Sequence, residues 1–254
     1  MKKIRIFISS PGDVQEERDI ARGVVQQLGR TFAGRLQLQA VLWEEPALGA
    51  DMSFHAVLSE QGIEIAVFIL WSRLGSPTGL LLVGDQGKPF RSGSEREWYL
   101  RLQAREACIK RGLPRRPQIF VYNRKDETSF EERLRGKTDE HKATDVQQKL
   151  ALTQFIEEEF HDANSGVNVR AYHSFDQPTT FAKQLRTHLT NLLESSYGVE
   201  LERPYWNVAD LGPPFRGLDV FEFEHSPIFF GREDELVAIR NRLREQACRG
   251  CAFY

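Results

Sequence analysis

The apolar run over residues 63–70 restricts the fold of this chain more than any other feature. Apart from Glu64, every position in the run is apolar, so both sides of a strand built from it would be apolar. Strands of antiparallel sheets commonly keep one polar face, whereas strands of parallel sheets are covered by helices on both faces. The run therefore predicts the central strand of a parallel sheet with helices packed above and below it.

Strand and helix patterns alternate before and after this run. Further strands are predicted over residues 4–8, 36–43, 118–122 and 167–172, and helices over 14–32, 53–59, 94–110, 145–160 and 175–193. The first of these helices carries its apolar residues on one face: Val14, Ala21, Val24, Val25, Leu28 and Phe32. The charged segment 124–144 is predicted to be a mobile surface loop or insertion. This alternation predicts an α/β fold with an open, doubly wound, mainly parallel five-stranded sheet of flavodoxin-like type. In such folds ligands bind beyond the carboxyl ends of the strands.

Composition excludes several classes of function. The 254 residues carry 34 Lys and Arg against 36 Asp and Glu, a net charge of −2 without blocks of one sign. General electrostatic capture of nucleic acid or of an anionic membrane is therefore not expected. The three cysteines cannot form a disulfide framework, which favours a reducing compartment. Because neither a signal peptide nor a membrane-length apolar run is recognisable, we expect a cytoplasmic protein.

The character of the chain changes after Tyr197. Residues 198–230 combine prolines, glycines and aromatic residues without a clear period and are predicted to form a linker. An amphipathic helix is expected to follow Gly231, with Leu236, Ile239 and Leu243 at helical spacing, and residues 251–254 resemble the start of a strand. We therefore expect a domain over 1–197, a linker over 198–230, and the truncated beginning of a second module over 231–254.

The first loop, Ser9-Ser10-Pro11-Gly12-Asp13, follows the first predicted strand. A serine before a proline at the first helical position, with an acid three residues on, is typical of a helix start. At the carboxyl end of a parallel strand, such a start would direct backbone N–H groups into the cleft and accept a phosphate. Ordinary capping of the helix, without any ligand, explains the same residues. The loop lacks the G-x-G-x-x-G pattern of a Rossmann cofactor site.

Three segments in order, IFISSPGDVQEER, VFILWSRLGS and SGSEREW, resemble the TIR-like domains found at the N-termini of STAND-type signalling NTPases. The resemblance covers about residues 1–195. Asp13 and Arg18 match the D-x-x-x-E-R part of the pattern of that family, which here follows Ser9-Ser10 after two residues, and a role in a helix salt bridge or cap is expected for them. The resemblance implies an effector domain that acts when the protein oligomerises.

A second segment, PPFRGLDVFEFEHSPIFFGREDELVAIRNRL, is similar to the region that leads into the STAND NTPase module, where P-[FY]-R-G-L and F-F-G-R-E recur. In that family the next strand runs into a Walker A loop. No G-x-x-x-x-G-K-[ST] pattern occurs in these 254 residues, so this chain is not expected to hydrolyse a nucleotide by that route. ATP is expected only for the NTPase module that the resemblance implies.

Glu97 is the candidate catalytic residue. It is predicted in the first turn of the helix over 94–110, on the face of Leu100, Ala104 and Cys108, and so at the rim of the cleft. TIR domains that cleave NAD use a glutamate at the start of the corresponding helix, and the sequence GSERE ending at Glu97 resembles the G-T-x-x-E of nucleoside 2-deoxyribosyltransferases. The resemblance implies action on an N-glycosidic bond, where a carboxylate stabilises oxocarbenium charge, orients the ribose hydroxyls or attacks covalently.

Two features of the sequence favour a purely structural role for Glu97. Ser94-x-x-Glu97 has the spacing of a capping box, in which the glutamate only accepts a hydrogen bond from the backbone N–H of the serine. The Trp-Cys-x-x-Glu pattern of catalytic TIR domains is absent, since Trp98 follows the acid instead of preceding it.

Other residues are expected at the same rim. Trp71 could stack on a base or a nicotinamide ring, or belong to the core, and Arg73 could pair with a phosphate or carboxylate. Residues 43–45 could form a wall. The candidate ligand-binding residues are Ser9, Ser10, Asp13, Trp71, Arg73 and Ser94. No metal site is expected, because Cys248-x-x-Cys251 has no second ligand pair and the histidines are scattered.

Three functions remain open at this point. The first is a TIR-like effector domain, switched on by oligomerisation, that cleaves NAD or a related nucleotide. The second is a non-catalytic adaptor that self-associates or recruits a partner through its surfaces, and the third is a constitutive nucleoside or nucleotide glycosidase.

Overall fold

A computed structural model describes residues 1–42, 62–76, 89–162, 165, 167–198, 239 and 242. The chain forms two compact units, Met1–Val199 and Glu200–Tyr254. In the second unit only Ile239 and Arg242 are described, and both are helical and exposed. The linker over 198–230 and the module start over 231–254 thus fall almost wholly outside the described residues and stay predictions. The same holds for the predicted helix over 53–59 and the wall at 43–45.

The first unit contains a five-stranded sheet in which every pairing is parallel. Its strands are β1 (Lys2–Ser9), β2 (Leu36–Val41), β3 (Ile65–Leu70), β4 (Gln118–Arg124) and β5 (His173–Phe175). The helices described are α1 (Gln15–Thr31), α2 (Gly93–Lys110), α3 (Glu127–Leu134), α4 (Asp139–Phe160) and α5 (Pro178–Tyr197). The strand order β2-β1-β3-β4-β5 is that of a doubly wound sheet, as predicted. The chain leaves β1 toward one edge and later continues from β3 toward the other, so the topological switch point lies between β1 and β3.

β3 is buried at all six positions, which confirms the prediction from the apolar run. On one face of the sheet, Phe7, Phe68 and Val121 pack against Trp98 of α2 and Phe155 of α4 in a single cluster. Phe68 meets Trp98 edge-on, with ring centroids 5.5 Å apart. Strand alternation places Ser9 and Asn123 on this same face, because their register partners in β3 are Phe68 and Leu70.

The opposite face of the sheet is covered by α1 and α5. All six residues predicted on the apolar face of the first helix are buried, as are Phe181, Leu185, Leu189 and Leu193 of α5. Tyr122 of β4 points to this face, where its ring meets Phe181 edge-on at 5.1 Å between centroids. The apolar spacing of the first predicted helix therefore correctly indicated the face that α1 buries.

The predicted fifth strand over 167–172 is wrong, since β5 lies just after it. Val167 and Val169 are 62% and 56% exposed, although their alternation suggested a strand. The segment turns back on α4 instead: the Val169 N–H donates to the Phe160 carbonyl at 2.9 Å, and Asn168 bridges His161 in an antiparallel sense. Pairing with β4 begins only at His173. The alternation of apolar and polar residues therefore did not locate the strand that pairs with β4.

The predicted loop over 124–144 is also wrong, because it contains α3 and the first turns of α4. The carboxylate of Asp126 accepts from Ser129 N at 3.0 Å, and the hydroxyl of Thr138 accepts from His141 N at 3.4 Å, so both helix starts are capped. Phe130 is the buried residue of α3, and Asp145 forms an ion pair with Lys137. Caps and ion pairs thus support α3 and the polar first turns of α4, whose apolar stripe begins only at Leu152.

Gly75, beyond the end of β3, provides a test of how closely the loop approaches α2. Its φ is +123°, and a Cβ there would lie 3.0 Å from the Ser94 hydroxyl oxygen. We expect Gly75→Ala to lower the free energy of unfolding by about 1–3 kcal/mol in urea denaturation, because a side chain strains this backbone conformation. Gly23→Ala is the matched control: it lies within α1 with open space around it, and we expect a gain of about 0.5–1 kcal/mol. Similar changes in the two variants would contradict the strain expected for a side chain at Gly75.

Candidate functional site

The polar residues at the switch point come from three elements. Ser9 is the last residue of β1, Ser72 follows β3, and α2 begins at Gly93 with its first turns over the same edge. Because β1 and β3 are parallel neighbours, both end at this edge, which is where doubly wound sheets place their ligands. The fold brings Ser9 and Glu97 into contact, although 88 positions separate them in the sequence.

Glu97 lies against the end of β1. The Ser9 hydroxyl donates to Glu97 Oε2 at 2.5 Å, and Ser9 and Glu97 are only 1% and 8% exposed. Arg101, one helical turn further along α2, is 4% exposed and places its guanidinium 5.3 Å from the centroid of the Phe7 ring. A carboxylate is therefore enclosed between a strand end and a buried cation on its own helix.

Burial raises the pKa of Glu97 to about 7, although the hydrogen bond from Ser9 and the positive charges of Arg101, Arg96 and Arg18 act to lower it. Desolvation disfavours the charged form of a buried acid, and nearby cations compensate only part of that cost. A carboxyl group that titrates near neutral pH can accept or give a proton at physiological pH. Strongly shifted acids in clefts are candidates for functional sites.

The predicted capping box between Ser94 and Glu97 is wrong. Ser92 is the N-cap of α2: its hydroxyl accepts from Glu95 N at 3.1 Å and donates to the Leu74 carbonyl at 2.9 Å. Glu95 in turn accepts from the Arg91 backbone N–H and guanidinium. The cap of α2 is thus formed by Ser92 and the N–H of Glu95, two positions before Ser94 and Glu97. The Glu97 carboxylate accepts its hydrogen bond from Ser9 instead.

The face of α2 assigned from the sequence is only partly correct. Ala104 is exposed, and Leu100 and Cys108 are half-buried. The buried residues of α2 are Glu95, Glu97, Trp98 and Arg101. In the first half of α2, apolar and charged residues are mixed on the buried face. The pattern of apolar residues therefore indicated the wrong stripe of the helix, although it placed Glu97 correctly toward the interior. Ser94, a candidate ligand-binding residue, is half-buried and lies next to Gly75.

The predicted phosphate-accepting helix start in the first loop is not formed. α1 begins at Gln15, and its N-cap, Val14, makes no side-chain cap. The first turn carries Glu16 and Glu17, whose negative charges oppose an anion at a helix N-terminus. Pro11 lies four residues before Gln15, the first residue of α1, so it does not occupy the first helical position that the sequence suggested.

Asp13, Ser10 and Arg18 join this loop to its surroundings. The Asp13 Oδ2 atom accepts from both the backbone N–H and the hydroxyl of Ser72, at 2.9 and 2.8 Å. Arg18 is 2% exposed and donates from Nε to the Ser10 hydroxyl at 2.7 Å and from Nη2 to the Ser10 carbonyl at 2.8 Å. Asp13 and Arg18 thus hold the loop to neighbouring polar groups, and the expected salt-bridge or cap role of these two residues stays a prediction.

Trp71 and Arg73 are near the same edge but are directed toward α3 and α4. The Trp71 indole N–H donates to the Asp126 carbonyl at 3.1 Å, and the guanidiniums of Arg124 and Arg133 lie 4.4 and 5.9 Å from the centroid of its ring. The Arg73 charge contributes to lowering the pKa of Asp145, a carboxyl whose burial acts in the opposite direction. The structure thus brings Glu97 together with Ser9, and places Trp71 and Arg73 in a separate group.

Sequence reasoning missed three residues of this edge: Ser72, Arg101 and Asn123. Arg101 could have been found, since it follows Glu97 by four positions and therefore shares its helical face. Ser72 and Asn123 lie beyond or at the ends of β3 and β4, and only the strand register shows that they reach the same edge. Within the described part of the chain, no group of three or more His, Cys, Asp or Glu could hold a metal ion. No described helix has the length and apolar character needed to cross a membrane.

Comparisons with known proteins add little. No protein-family profile matches the chain, and no curated protein matches it. Among solved structures, a short-chain dehydrogenase/reductase from Burkholderia vietnamiensis is similar with a TM-score of 0.28 and 14% sequence identity, over 82% of this chain and 98% of that one. Likeness at that level carries no inference about function.

The pKa of Glu97 predicts a pH dependence of stability. Because the folded protein holds this proton up to about pH 7 while the unfolded chain loses it near pH 4.5, the free energy of unfolding falls as pH rises between these values. We expect a loss of about 3 kcal/mol from this group over that window. Urea denaturation from pH 4 to 8 should show the loss in the wild type and not in Glu97→Gln.

Glu106→Gln is the matched control for this measurement, because Glu106 is an exposed glutamate on the same helix. This variant should keep the pH dependence of the wild type. Parallel stability curves for the wild type and Glu97→Gln would mean that Glu97 does not titrate in the window.

Proposed function

We propose that residues 1–197 form a TIR-like effector domain of a STAND-type signalling NTPase, and that Glu97 cleaves the N-glycosidic bond of NAD or a related nucleotide. The observation that carries the proposal is the buried Ser9–Glu97 pair at the switch point of a parallel sheet. A carboxyl group with a pKa near 7 at this place has the properties of an acid–base residue.

In the proposed reaction, the bond between the ribose C1′ and the nicotinamide nitrogen breaks, and its electron pair leaves with the nicotinamide. Positive charge develops on the ribose ring, where the ionised Glu97 carboxylate stabilises it. A water oxygen then bonds to C1′, and Glu97 accepts the proton that this water loses. The products are nicotinamide, ADP-ribose and one proton. Ser9 orients the carboxylate, and the charges of Arg101 and Arg96 favour its ionised form.

The burial of Glu97 supports a requirement for activation. Only 8% of the residue is exposed, and its Oε2 atom accepts the Ser9 hydroxyl, so little of the carboxylate is presented to a substrate. On the proposed function, oligomerisation of the protein in the cytoplasm shifts α2 relative to β1 and frees the carboxylate. ATP binding to the NTPase module that the resemblance implies promotes this oligomerisation, and a high concentration of the present chain promotes it without ATP.

The alternative function is a non-catalytic adaptor that self-associates or recruits a partner. The same burial favours it, because a sealed Ser9–Glu97 pair would hold α2 to β1 as a structural contact only. On this alternative, Glu97→Gln leaves signalling intact while changes on the exposed helix surfaces abolish it. A constitutive glycosidase has no observation in its favour beyond those of the first proposal.

Incubation with NAD tests the proposal. We expect nicotinamide release, measured by chromatography, to rise with protein concentration as the chain self-associates, which light scattering follows in parallel. Glu97→Gln should lower the rate by about 100-fold or more, since it removes the group that takes the proton and stabilises the charge. Free nucleosides as substrates, at concentrations where the chain is monomeric, test for a constitutive glycosidase.

Glu106→Gln again controls for the loss of one surface carboxylate and should release nicotinamide at the wild-type rate. Stable NAD in the presence of the oligomeric wild-type protein would leave only the adaptor alternative. Equal rates for the wild type and Glu97→Gln would show that another residue carries the activity.

A further inference from the structure

Arg96, next to Glu97 in the sequence, has a side chain without a bonding partner. The residue is half-buried in the first turn of α2, and its guanidinium forms neither a hydrogen bond nor an ion pair with any residue that the structure describes. Other arginines at this edge are bonded: Arg18 donates to the first loop, and Arg124 forms two ion pairs. An unbonded guanidinium beside the candidate catalytic acid therefore needs an explanation.

The three nitrogen atoms of the Arg96 guanidinium differ in their surroundings. Nη1 is buried without a hydrogen-bond partner. Nε and Nη2 also donate to no described residue, but neither of them is buried. Nε and Nη2 together form an edge of the guanidinium that can donate two parallel hydrogen bonds to a phosphate or a carboxylate. The packed end of the group is therefore Nη1, and the edge suited to an anion stays open.

Arg96 lies on the flank of α2 that faces away from α4. Successive residues of a helix are about 100° apart, so Arg96 and Trp98 lie on opposite flanks of Glu97. Trp98 meets Phe155 of α4 edge-on, with ring centroids 6.0 Å apart, so the Trp98 flank is the one that α4 covers. The other flank also carries Gly93, where a Cβ would meet no described atom within 4 Å. Open space thus adjoins α2 on the side of Arg96.

The charges of Arg96 and Glu97 act on each other. Burial raises the pKa of Glu97, and the Arg96 guanidinium acts to lower it. Burial lowers the pKa of Arg96, and the Glu97 carboxylate acts to raise it. Because such interactions weaken with distance, both groups are within reach of one nucleotide-sized ligand. A partly buried guanidinium without acceptors is unfavourable, and a bound anion would supply the acceptors that it lacks.

We propose that Arg96 binds a phosphate group of the substrate that Glu97 cleaves. The inference rests on the proposed function and narrows its substrate class to nucleotides that carry a phosphate or diphosphate on the 5′ oxygen of the ribose. That phosphate is attached to the same sugar whose C1′ atom faces Glu97, so one ligand can meet both side chains. Glu97 stays the catalytic residue, and Arg96 is a substrate-binding residue that selects nucleotides over free nucleosides.

Isothermal titration calorimetry with ADP-ribose tests phosphate binding without cleavage, because ADP-ribose is a product of the proposed reaction. We expect the full 254-residue chain, at the high concentration used with NAD, to bind ADP-ribose at millimolar concentration or below. Arg96→Gln should weaken this binding about tenfold or more, since a charge-assisted contact with two hydrogen bonds is lost. Arg96→Lys keeps the charge but not the paired donors, so its affinity should lie between the two.

Arg111→Gln is the matched control, because Arg111 is an exposed arginine at the other end of α2. This variant loses the same charge and should bind ADP-ribose like the wild type. The Tm of Arg96→Gln should equal that of the wild type, since the side chain bonds to no described residue. A fall of several degrees would indicate a structural role for Arg96 and overturn the inference.

Cleavage of two substrates separates phosphate binding from an effect on Glu97. NAD carries a diphosphate, and nicotinamide riboside carries no phosphate. Because the charge of Arg96 also favours the ionised form of Glu97, its loss changes the cleavage of both substrates. The ratio of kcat/KM for NAD to kcat/KM for nicotinamide riboside isolates the phosphate contact. We expect Arg96→Gln to lower this ratio about tenfold or more and Arg111→Gln to keep it.

The outcomes separate this inference from the proposed function. ADP-ribose that does not bind to the wild type, or binds equally to the wild type and Arg96→Gln, would overturn the role of Arg96 even where NAD is cleaved. An unchanged ratio of the two substrates in Arg96→Gln would overturn it as well. Loss of ADP-ribose binding in Arg96→Gln while the wild type leaves both substrates intact would refute the proposed cleavage and still support phosphate binding by Arg96.

Discussion

Burial of β3 on both faces is the constraint on which the other features of the domain depend. A strand with no polar face needs a layer of helices above and below the sheet, and parallel pairing with β1 and β4 provides the crossover connections that place them there. Parallel pairing also means that the strands end together at one edge. The polar residues that follow each strand therefore converge, whatever their separation along the chain.

The polar network at this edge stabilises the loops as well as offering chemistry. Arg18 and Asp13 hold the β1–α1 loop through Ser10 and Ser72, and each of these bonds replaces hydrogen bonds to water that were lost on burial. Glu97 differs from them, because a single hydroxyl and nearby cations do not fully compensate its desolvation. A buried acid in such a position serves either as a structural contact or as a reactive group. The adaptor function corresponds to the first role and the enzymatic function to the second.

The Ser9–Glu97 pair and a cavity of about 190 Å³ at the carboxyl end of β4, with Asn123 in its wall, lie on the same face of the sheet but differ in their electrostatics. The first combines a carboxyl group with several arginines, whereas the cavity wall contains cations and carboxylates together with the buried apolar side chains of Leu152 and Ile156. Trp71 lies in the wall of the cavity, and its neighbour Ser72 is bonded to Asp13 of the first loop.

Local patterns predicted much of the domain correctly. The buried run of β3 and the apolar stripe of α1 required only the periods of strands and helices, and both are confirmed. Predictions that depended on local chemistry alone were less successful: residues 167–172 alternate like a strand but turn back on α4, and Ser94 has the spacing of a cap although Ser92 is the one that caps. In each of these cases two nearby candidates had the right pattern, and contacts from distant elements selected one of them.

From its sequence alone, the chain determines a doubly wound parallel α/β fold and the inward position of Glu97, because apolar periodicity and helix spacing are local properties. Only the tertiary structure decided what Glu97 meets. The positions of the Ser9 hydroxyl, the buried Arg101 and the buried Asn123 at this edge follow from strand register and burial, which depend on residues far apart in the chain and on the loss of water between them.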